Sequence, residues 1–214
     1  ILKSIIYKGK NENDIQEFED FLSEFDADVQ RCIEYIVRNN LHDLDLKCMI
    51  EIILALHKDL DIKWLTLHDF NHMQMQEIRL GLEKRLDVSI YAKPELDWKQ
   101  MEEIRLGLEK DLDVSLYANL EYDHGQMEEI RRGLERGLDV SIYATTEYDC
   151  DQMEEIRLGL ENEIDVSVYA KPEYNWQQMR EIRWGLEYGL DVSVYAKPEF
   201  DWDEMQEIRT GLEK

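Results

Sequence analysis

The chain has 214 residues, and its 49 Asp and Glu against 25 Lys and Arg give a formal net charge of −24. A field of this sign argues against direct binding to nucleic acid or to anionic membrane surfaces, and it favours a basic protein as the partner. The three cysteines are odd in number and form no CxxC pair, which is typical of a reduced, cytoplasmic protein, and no apolar run approaches the roughly 18–20 residues of a membrane span.

The first 48 residues lie outside any repeat and predict an N-terminal helical cap. Residues 14–25 and 28–39 each place apolar side chains with the period of an amphipathic helix. Repeat arrays need such caps because their end surfaces would otherwise expose apolar side chains. We therefore predict an N-terminal segment and cap at 1–48, followed by a repeat array at 49–214.

From residue 75 onward the sequence repeats every 26 residues without an insertion. One period earlier, residues 49–74 match at Met49, Ile52 and Leu56 and form a degenerate first copy, and the last copy is truncated. The positions that recur are a methionine, an isoleucine, a glycine and a tyrosine, and the glycines are Gly81, Gly107, Gly133, Gly159, Gly185 and Gly211. This periodicity predicts an all-α fold, an α-solenoid of stacked units.

Each unit predicts a long helix, a tight turn, a short helix and a loop. Asp97 and Gln100 have the spacing of a capping box, in which each side chain satisfies free amide donors near the other. Met101, Ile104 and Leu108 then form one apolar stripe of a helix. A unit this short cannot bury its stripe alone, so the units must stack.

Glycine stands in the middle of every long helix, although it costs about 1 kcal/mol there relative to alanine. We expect a neighbouring helix or a tyrosine ring to pack against the bare backbone at this position. Two further glycines, Gly137 and Gly189, come at the ends of long helices and predict left-handed helix stops.

Glutamates of the long helices are the candidate partner-binding site. A glutamate follows each repeat-invariant arginine by four residues, which makes an intrahelical ion pair available. Two interpretations stay open: a ladder of surface pairs worth a few tenths of a kcal/mol each, or a charged ridge that a partner binds. The candidate ridge consists of Glu102, Glu103, Glu109, Glu128, Glu129, Glu135, Glu154, Glu155, Glu161 and Glu181.

The acidity belongs mainly to the later repeats. Residues 101–126 contain seven acids and two bases, whereas residues 75–100 contain five of each. If each unit advances the stack by roughly 10 Å, the later units carry about four to five charges over the length in which duplex DNA carries about six. This density is compatible with mimicry of nucleic acid, although solubility alone also favours an acidic surface.

Positions that vary between repeats offer an aromatic candidate site. Trp184 and Tyr188 lie on the long helix that follows Trp176, and Trp and Tyr dominate the energetics of protein interfaces. Trp184 has two interpretations of equal weight, an anchor for a partner and a side chain that packs within the array.

Enzyme signatures are absent from the sequence. It has no glycine-rich phosphate loop, no GxSxG and no HExxH. His68 and His72 have the spacing of a helical metal pair but fall in the loop of the degenerate copy. We therefore expect no catalysis, no cofactor and no bound metal.

The unit at 189–209 begins Gly-Leu-Asp-Val-Ser-Val-Tyr-Ala-Lys-Pro-Glu-Phe. It resembles short helical tandem repeats in uncharacterised proteins of Gram-positive gut bacteria and their mobile elements, and the resemblance covers residues 49–214. By analogy with that setting, it implies that small acidic members inhibit host defence systems such as restriction or CRISPR enzymes. It supplies no site motif that carries over to this chain.

Together these observations predict non-catalytic protein binding. The specific hypothesis is an inhibitor of a host defence nuclease, whose basic nucleic-acid channel receives the acidic face of residues 101–204. The alternative is a scaffold or adaptor whose acidity only keeps it soluble and which docks a partner through Trp184 and Tyr188. Either protein would act in the cytoplasm as a monomer or an end-to-end homodimer.

Overall fold

The computed structural model describes residues 2–23 and 28–214, and every regular element within these ranges is helical. The α-helices are α1 (Leu2–Ile6), α2 (Glu12–Ser23), α3 (Asp28–Arg38), α4 (Leu46–His57), α5 (Lys63–Thr66), α6 (His72–Glu83), α7 (Trp98–Glu109), α8 (His124–Glu135), α9 (Cys150–Glu161), α10 (Trp176–Glu187) and α11 (Trp202–Leu212). Short 3₁₀ turns lie at Val88–Ile90, Val114–Leu116, Val140–Ile142, Val166–Val168 and Val192–Val194.

The chain divides into two compact units, Ile1–Arg105 and Leu106–Lys214, and the division falls within α7. In the second unit α8 packs on α9, α9 on α10 and α10 on α11, and in the first unit α4 packs on α6. Within each unit, these helices thus bury their apolar stripes against one another. The predicted all-α fold of stacked repeats, the α-solenoid class, is confirmed.

Helices α1 to α3 precede the repeats in the first unit. α2 and α3 confirm the two predicted amphipathic helices, except that the predicted end of the first, at Phe25, lies outside the described residues. They pack on α4, with Phe18 and Ile36 fully buried. α4 begins and ends 26 residues before α6, so the degenerate first copy keeps the helical register of the array.

Capping boxes begin the long helices, as predicted, and they also join consecutive repeats. In α8 the Asp123 side chain accepts from the Gln126 amide (2.9 Å), and the Gln126 Oε1 accepts from the Asp123 amide (2.9 Å). The Nε2 of Gln126 donates to the carbonyl of Tyr148 in the following loop (2.6 Å). Gln152 repeats this bond to Tyr174. Because the glutamine is buried, its amide replaces water for the loop carbonyl.

Left-handed residues end the long helices. Gly137 and Gly189 have φ of 71° and 68°, which confirms both predicted helix stops. Four other residues adopt the same conformation at the equivalent position of other repeats, which the sequence did not predict. They are Asp59, Arg85, Asp111 and Glu163, with φ between 53° and 61°. A residue with a side chain is disfavoured there by about 1–2 kcal/mol.

The glycine in the last turn of α6, α7, α8, α9 and α10 accommodates a tyrosine of its own repeat. Tyr169 is fully buried, and its hydroxyl donates to the Glu155 carbonyl of α9 (3.0 Å). A Cβ at Gly159 would overlap that hydroxyl oxygen, so only glycine admits the ring. Burial also raises the pKa of the equivalent Tyr195 to about 12, which keeps the donor protonated. The expectation of a tyrosine against bare backbone is therefore confirmed.

Candidate functional site

A buried ion pair links each long helix to the preceding one in both units. Arg157 of α9 donates from Nε to Glu129 of α8 (2.6 Å), and both residues are more than nine-tenths buried. We call Glu51, Glu77, Glu103, Glu129, Glu155 and Glu181 the ladder glutamates. The pairs seen at this 28-residue spacing are Arg79–Glu51 (2.6 Å), Arg105–Glu77 (2.7 Å), Arg157–Glu129, Arg183–Glu155 (2.8 Å) and Arg209–Glu181 (2.8 Å).

The same arginines also bind a second glutamate, at the end of their own helix. Arg157 pairs with Glu161, and Arg131 with Glu135, which confirms the predicted pair four residues apart. A cation from the preceding repeat often joins them, as Lys110 does at Glu135 (2.8 Å). Burial alone would raise the pKa of Glu135, but the hydrogen bonds from Lys110 and Arg131 lower it below its usual range.

The structure corrects the exposed ridge. Glu103, Glu129, Glu155 and Glu181 were expected at the surface, yet each is less than 9% exposed. Burial raises the pKa of Glu129 even though the Arg157 guanidinium opposes that shift, so the carboxylate depends on its partner. The physical reason is geometric: the arginine stands two residues after the glutamate in each repeat, and the repeat is 26 residues long. The stacking of consecutive helices therefore places each glutamate against the arginine that lies 28 residues later, on the next helix.

The other candidate glutamates divide into two groups. Glu135 and Glu161 lie in the ion pairs at the helix ends, and Glu109 also has an interaction partner. Glu102, Glu128 and Glu154 are half-buried, and Glu128 pairs with Arg132 of its own helix (2.5 Å). Because cations accompany most of the predicted ridge, it contributes less outward negative field than the sequence suggested.

Carboxylates outside any ion pair lie instead at the two ends of the long helices. The first set is the N-cap aspartates of the long helices, which are Asp97, Asp123, Asp149 and Asp201. The second set is the turn aspartates, which precede the 3₁₀ turns and are Asp87, Asp113, Asp139, Asp165 and Asp191. The third set is the loop glutamates, which are Glu95, Glu121, Glu147, Glu173 and Glu199. All are exposed, and in the part of the chain that the structure describes none is in an ion pair. The Ser167 hydroxyl and amide lower the pKa of Asp165. We call these three sets the acidic edges.

Trp184 packs within the array rather than standing free. Its ring lies against the guanidinium groups of Arg180 (5.0 Å) and Arg209 (5.2 Å), and Arg180 also lies over Trp176 (4.8 Å). Such contacts contribute about 0.5–2 kcal/mol each. The ring is half-buried, so its π-surface is largely used inside the protein.

Tyr188 is the exposed member of the predicted aromatic pair. It follows the last residue of α10 and is 67% exposed. Its position in the repeat is that of Lys110 and Arg136, which bind the end of the next long helix. The structure thus separates the two aromatic candidates, with one packed against arginines and the other available at the surface.

Neither a family, nor a curated protein, nor a solved structure matches this chain. The site therefore has to be interpreted from its own chemistry.

Membrane-spanning helices and metal-binding clusters are both absent from the described residues, 2–23 and 28–214. No helix there is both long and apolar enough to cross a lipid bilayer. No group of three or more His, Cys, Asp and Glu side chains there is placed to hold a metal ion. Cys48 lies buried beside Asp45, and burial raises its pKa to about 12, which leaves the thiol protonated and unreactive.

The buried ion pairs between consecutive helices were not predicted from the sequence, although the sequence contains a signal for them. Glu51 has the same relation to Arg79 as Glu129 has to Arg157, and it lies in the degenerate copy where little else is retained. Surface charges change between repeats: one equivalent position is occupied by Glu128, Glu154 and Arg180 in three consecutive repeats. From residue 75 onward neither this acid nor this base varies, which is better explained by a buried pair.

Proposed function

We propose that this chain is a non-catalytic binding protein whose acidic edges bind a basic, nucleic-acid-binding protein, with the nucleic-acid channel of a host defence nuclease as the specific target. The observation that carries this proposal is the set of exposed carboxylates outside any ion pair, which recurs at a fixed interval along the array. Nucleic acid also offers a basic channel regularly spaced negative charges.

The acidic edges are better suited to this role than the long-helix glutamates. A ladder glutamate such as Glu129 already has a guanidinium partner and little access to solvent. An N-cap aspartate such as Asp149 is exposed, and its capping bonds hold its backbone in place without neutralising its charge. Two loops of the second unit add to the effect, because Asn119 and Thr145 stand where other repeats carry a lysine.

The natural array supplies the substitutions for a clean test. Asn71 and Asn175 form complete capping boxes at the positions where other repeats have aspartate. Asp123→Asn, Asp149→Asn and Asp201→Asn should therefore remove three exposed charges and keep the helix caps. The matched control is Asn71→Asp with Asn175→Asp, which adds charge at the same position of the repeat.

The assay is the displacement of fluorescent duplex DNA from a purified CRISPR or restriction nuclease, titrated with the chain at increasing salt. The chain should displace DNA at low salt and lose this ability steeply as ionic strength rises. The triple asparagine variant should displace DNA less well and with a shallower salt dependence, and the control variant should do the reverse. Equal displacement by all three proteins, or none by any across a panel of such nucleases, would refute the proposal.

A scaffold or adaptor is the second candidate, and the exposure of Tyr188 favours it. An adaptor of this kind would bind its partner through apolar contact, so the complex would tolerate high salt. Tyr188→Ala would then abolish binding, whereas the triple asparagine variant would leave it unchanged.

A further inference from the structure

In three repeats, the basic residue after a long helix reaches across to the end of the next long helix. Lys58 binds Glu83 (2.6 Å), Lys110 binds Glu135 (2.8 Å) and Arg136 binds Glu161 (2.8 Å). In these three repeats a cation from the chain itself therefore occupies the cleft between consecutive helix ends. A long aliphatic stem allows a lysine or arginine to bring its charged group to that glutamate.

The next repeat has no cation at this position. Asn162 replaces it and donates from Nδ2 to Glu187 Oε1 (3.0 Å), the oxygen that Arg183 also binds. The other oxygen, Glu187 Oε2, accepts no hydrogen bond from the described residues. The equivalent oxygen of Glu135 and of Glu83 binds a lysine. This repeat, like the following one with Tyr188, thus lacks a cation at this position.

An open cleft of about 660 Å³ lies at this point, and we call it the Asn162 cleft. Its polar lining comes from Asn162, Glu163, Asp165 and Glu187, and its apolar lining from Ile164 and Leu186. Asp165 is kept ionised because hydrogen bonds from Ser167 lower its pKa. The cleft therefore combines negative charge with an apolar wall.

The chemistry of the cleft selects among cationic ligands. Across the described residues no group of three or more such side chains is close enough to hold a metal ion, so the carboxylates are too dispersed for metal coordination. A lysine or arginine side chain has the required shape, since its charged end suits dispersed carboxylates and its methylene stem suits Ile164 and Leu186.

We propose that the Asn162 cleft receives a lysine or arginine side chain of the protein partner, in the place that Lys110 and Arg136 fill within the chain in earlier repeats. This inference rests on the proposed function, because it names one contact of the basic partner. It commits to a peptide cation rather than to a metal or a nucleic acid.

The test fills the cleft from within. Asn162→Lys restores the side-chain type that three earlier repeats carry at this position, as Lys58, Lys84 and Lys110. The Lys110–Glu135 pair predicts that the variant folds at least as stably as the wild type. The matched control is Asn119→Lys, which makes the same substitution and charge change at an exposed loop position where three other repeats already have lysine. Glu163→Gln is a second variant that removes one lining charge without filling the cleft.

The measurement is the fluorescence anisotropy of a labelled oligoarginine peptide titrated with the full chain at low salt. Asn162→Lys should weaken binding about tenfold, the effect of blocking one well-placed charge pair, and Asn119→Lys should weaken it by less than about threefold. Glu163→Gln should fall between them. Circular dichroism confirms that each variant is folded.

Three results would overturn the proposal: unchanged affinity in Asn162→Lys and Glu163→Gln, equal weakening by Asn162→Lys and Asn119→Lys, or no binding by the wild type. Equal weakening would mean that affinity follows net charge alone, which leaves the acidic edges as the binding surface. The displacement of DNA from a nuclease tests the proposed function separately, so the two failures are distinguishable.

Discussion

Gly159→Ala should destabilise the protein, even though alanine is the better helix former. Helix propensity alone would stabilise the variant by about 1 kcal/mol. Against this, the new methyl group would overlap the Tyr169 hydroxyl and lie 2.8 Å from a Val166 methyl carbon, and such overpacking costs about 1–3 kcal/mol. Displacing Tyr169 would also break its hydrogen bond to the Glu155 carbonyl, worth about 1 kcal/mol. The net loss should be about 1–3 kcal/mol.

The array contains a control for this substitution at the equivalent position of α11. A Cβ at Gly211 would meet nothing within 4 Å, so Gly211→Ala should stabilise by a few tenths to about 1 kcal/mol. Urea unfolding followed by far-UV circular dichroism gives both values from the transition midpoints. Tyr169→Phe removes the overlapping oxygen and should recover part of the loss in Gly159→Ala. If Gly159→Ala were as stabilising as Gly211→Ala, the tyrosine contact would not be the reason for the glycine.

Three further predictions concern charge and backbone conformation. Arg157→Met should cost roughly 3–5 kcal/mol because it leaves Glu129 buried without its partner, and adding Glu129→Gln should restore most of that stability in urea unfolding. Glu135 has a lowered pKa in the folded state, so its contribution to the free energy of unfolding is complete above the ordinary carboxyl pKa of about 4.3 and is lost as pH falls through the lowered pKa. The difference in stability between the wild type and Glu135→Gln, measured by urea unfolding, should therefore disappear over that pH range. A difference that did not depend on pH would contradict this explanation. Glu163→Gly and Asp111→Gly should each raise the thermal midpoint, with a gain of about 1 kcal/mol, since both residues have a left-handed φ; a lowered midpoint would count against that account.

Local chemistry predicted most of the repeat unit. The capping pair Asp123 and Gln126, the helix stop at Gly137 and the contact of a tyrosine with the glycine all follow from interactions within one or two turns or one unit. The pair between Arg157 and Glu161 is local in the same sense. Periodicity alone then required the units to stack.

Contacts between consecutive repeats could not be predicted from the sequence of a single repeat. The register of two packed helices decides that Glu129 meets Arg157, and a single helical pattern does not contain that register. The position of Trp184 was likewise ambiguous, because Arg180 lies on its own helix but Arg209 comes from the next. In the sequence, Asn162 is only a position that varies between repeats. The structure shows that this position faces the next helix end, because Lys110 binds Glu135 there and Asn162 binds Glu187.

The 28-residue spacing of the buried pairs has a consequence for how such an array can change during evolution. Excision of residues 153–178 would bring Arg183 to the same separation from Glu129 that Arg157 has now. Arg183 and Glu129 could then form the buried pair at the new junction without any compensating mutation. Recombination between similar stretches of the coding DNA can therefore alter copy number in whole steps while every newly adjacent pair of helices still fits. The number of repeats, and with it the length of acidic surface, becomes a quantity that selection can adjust quickly.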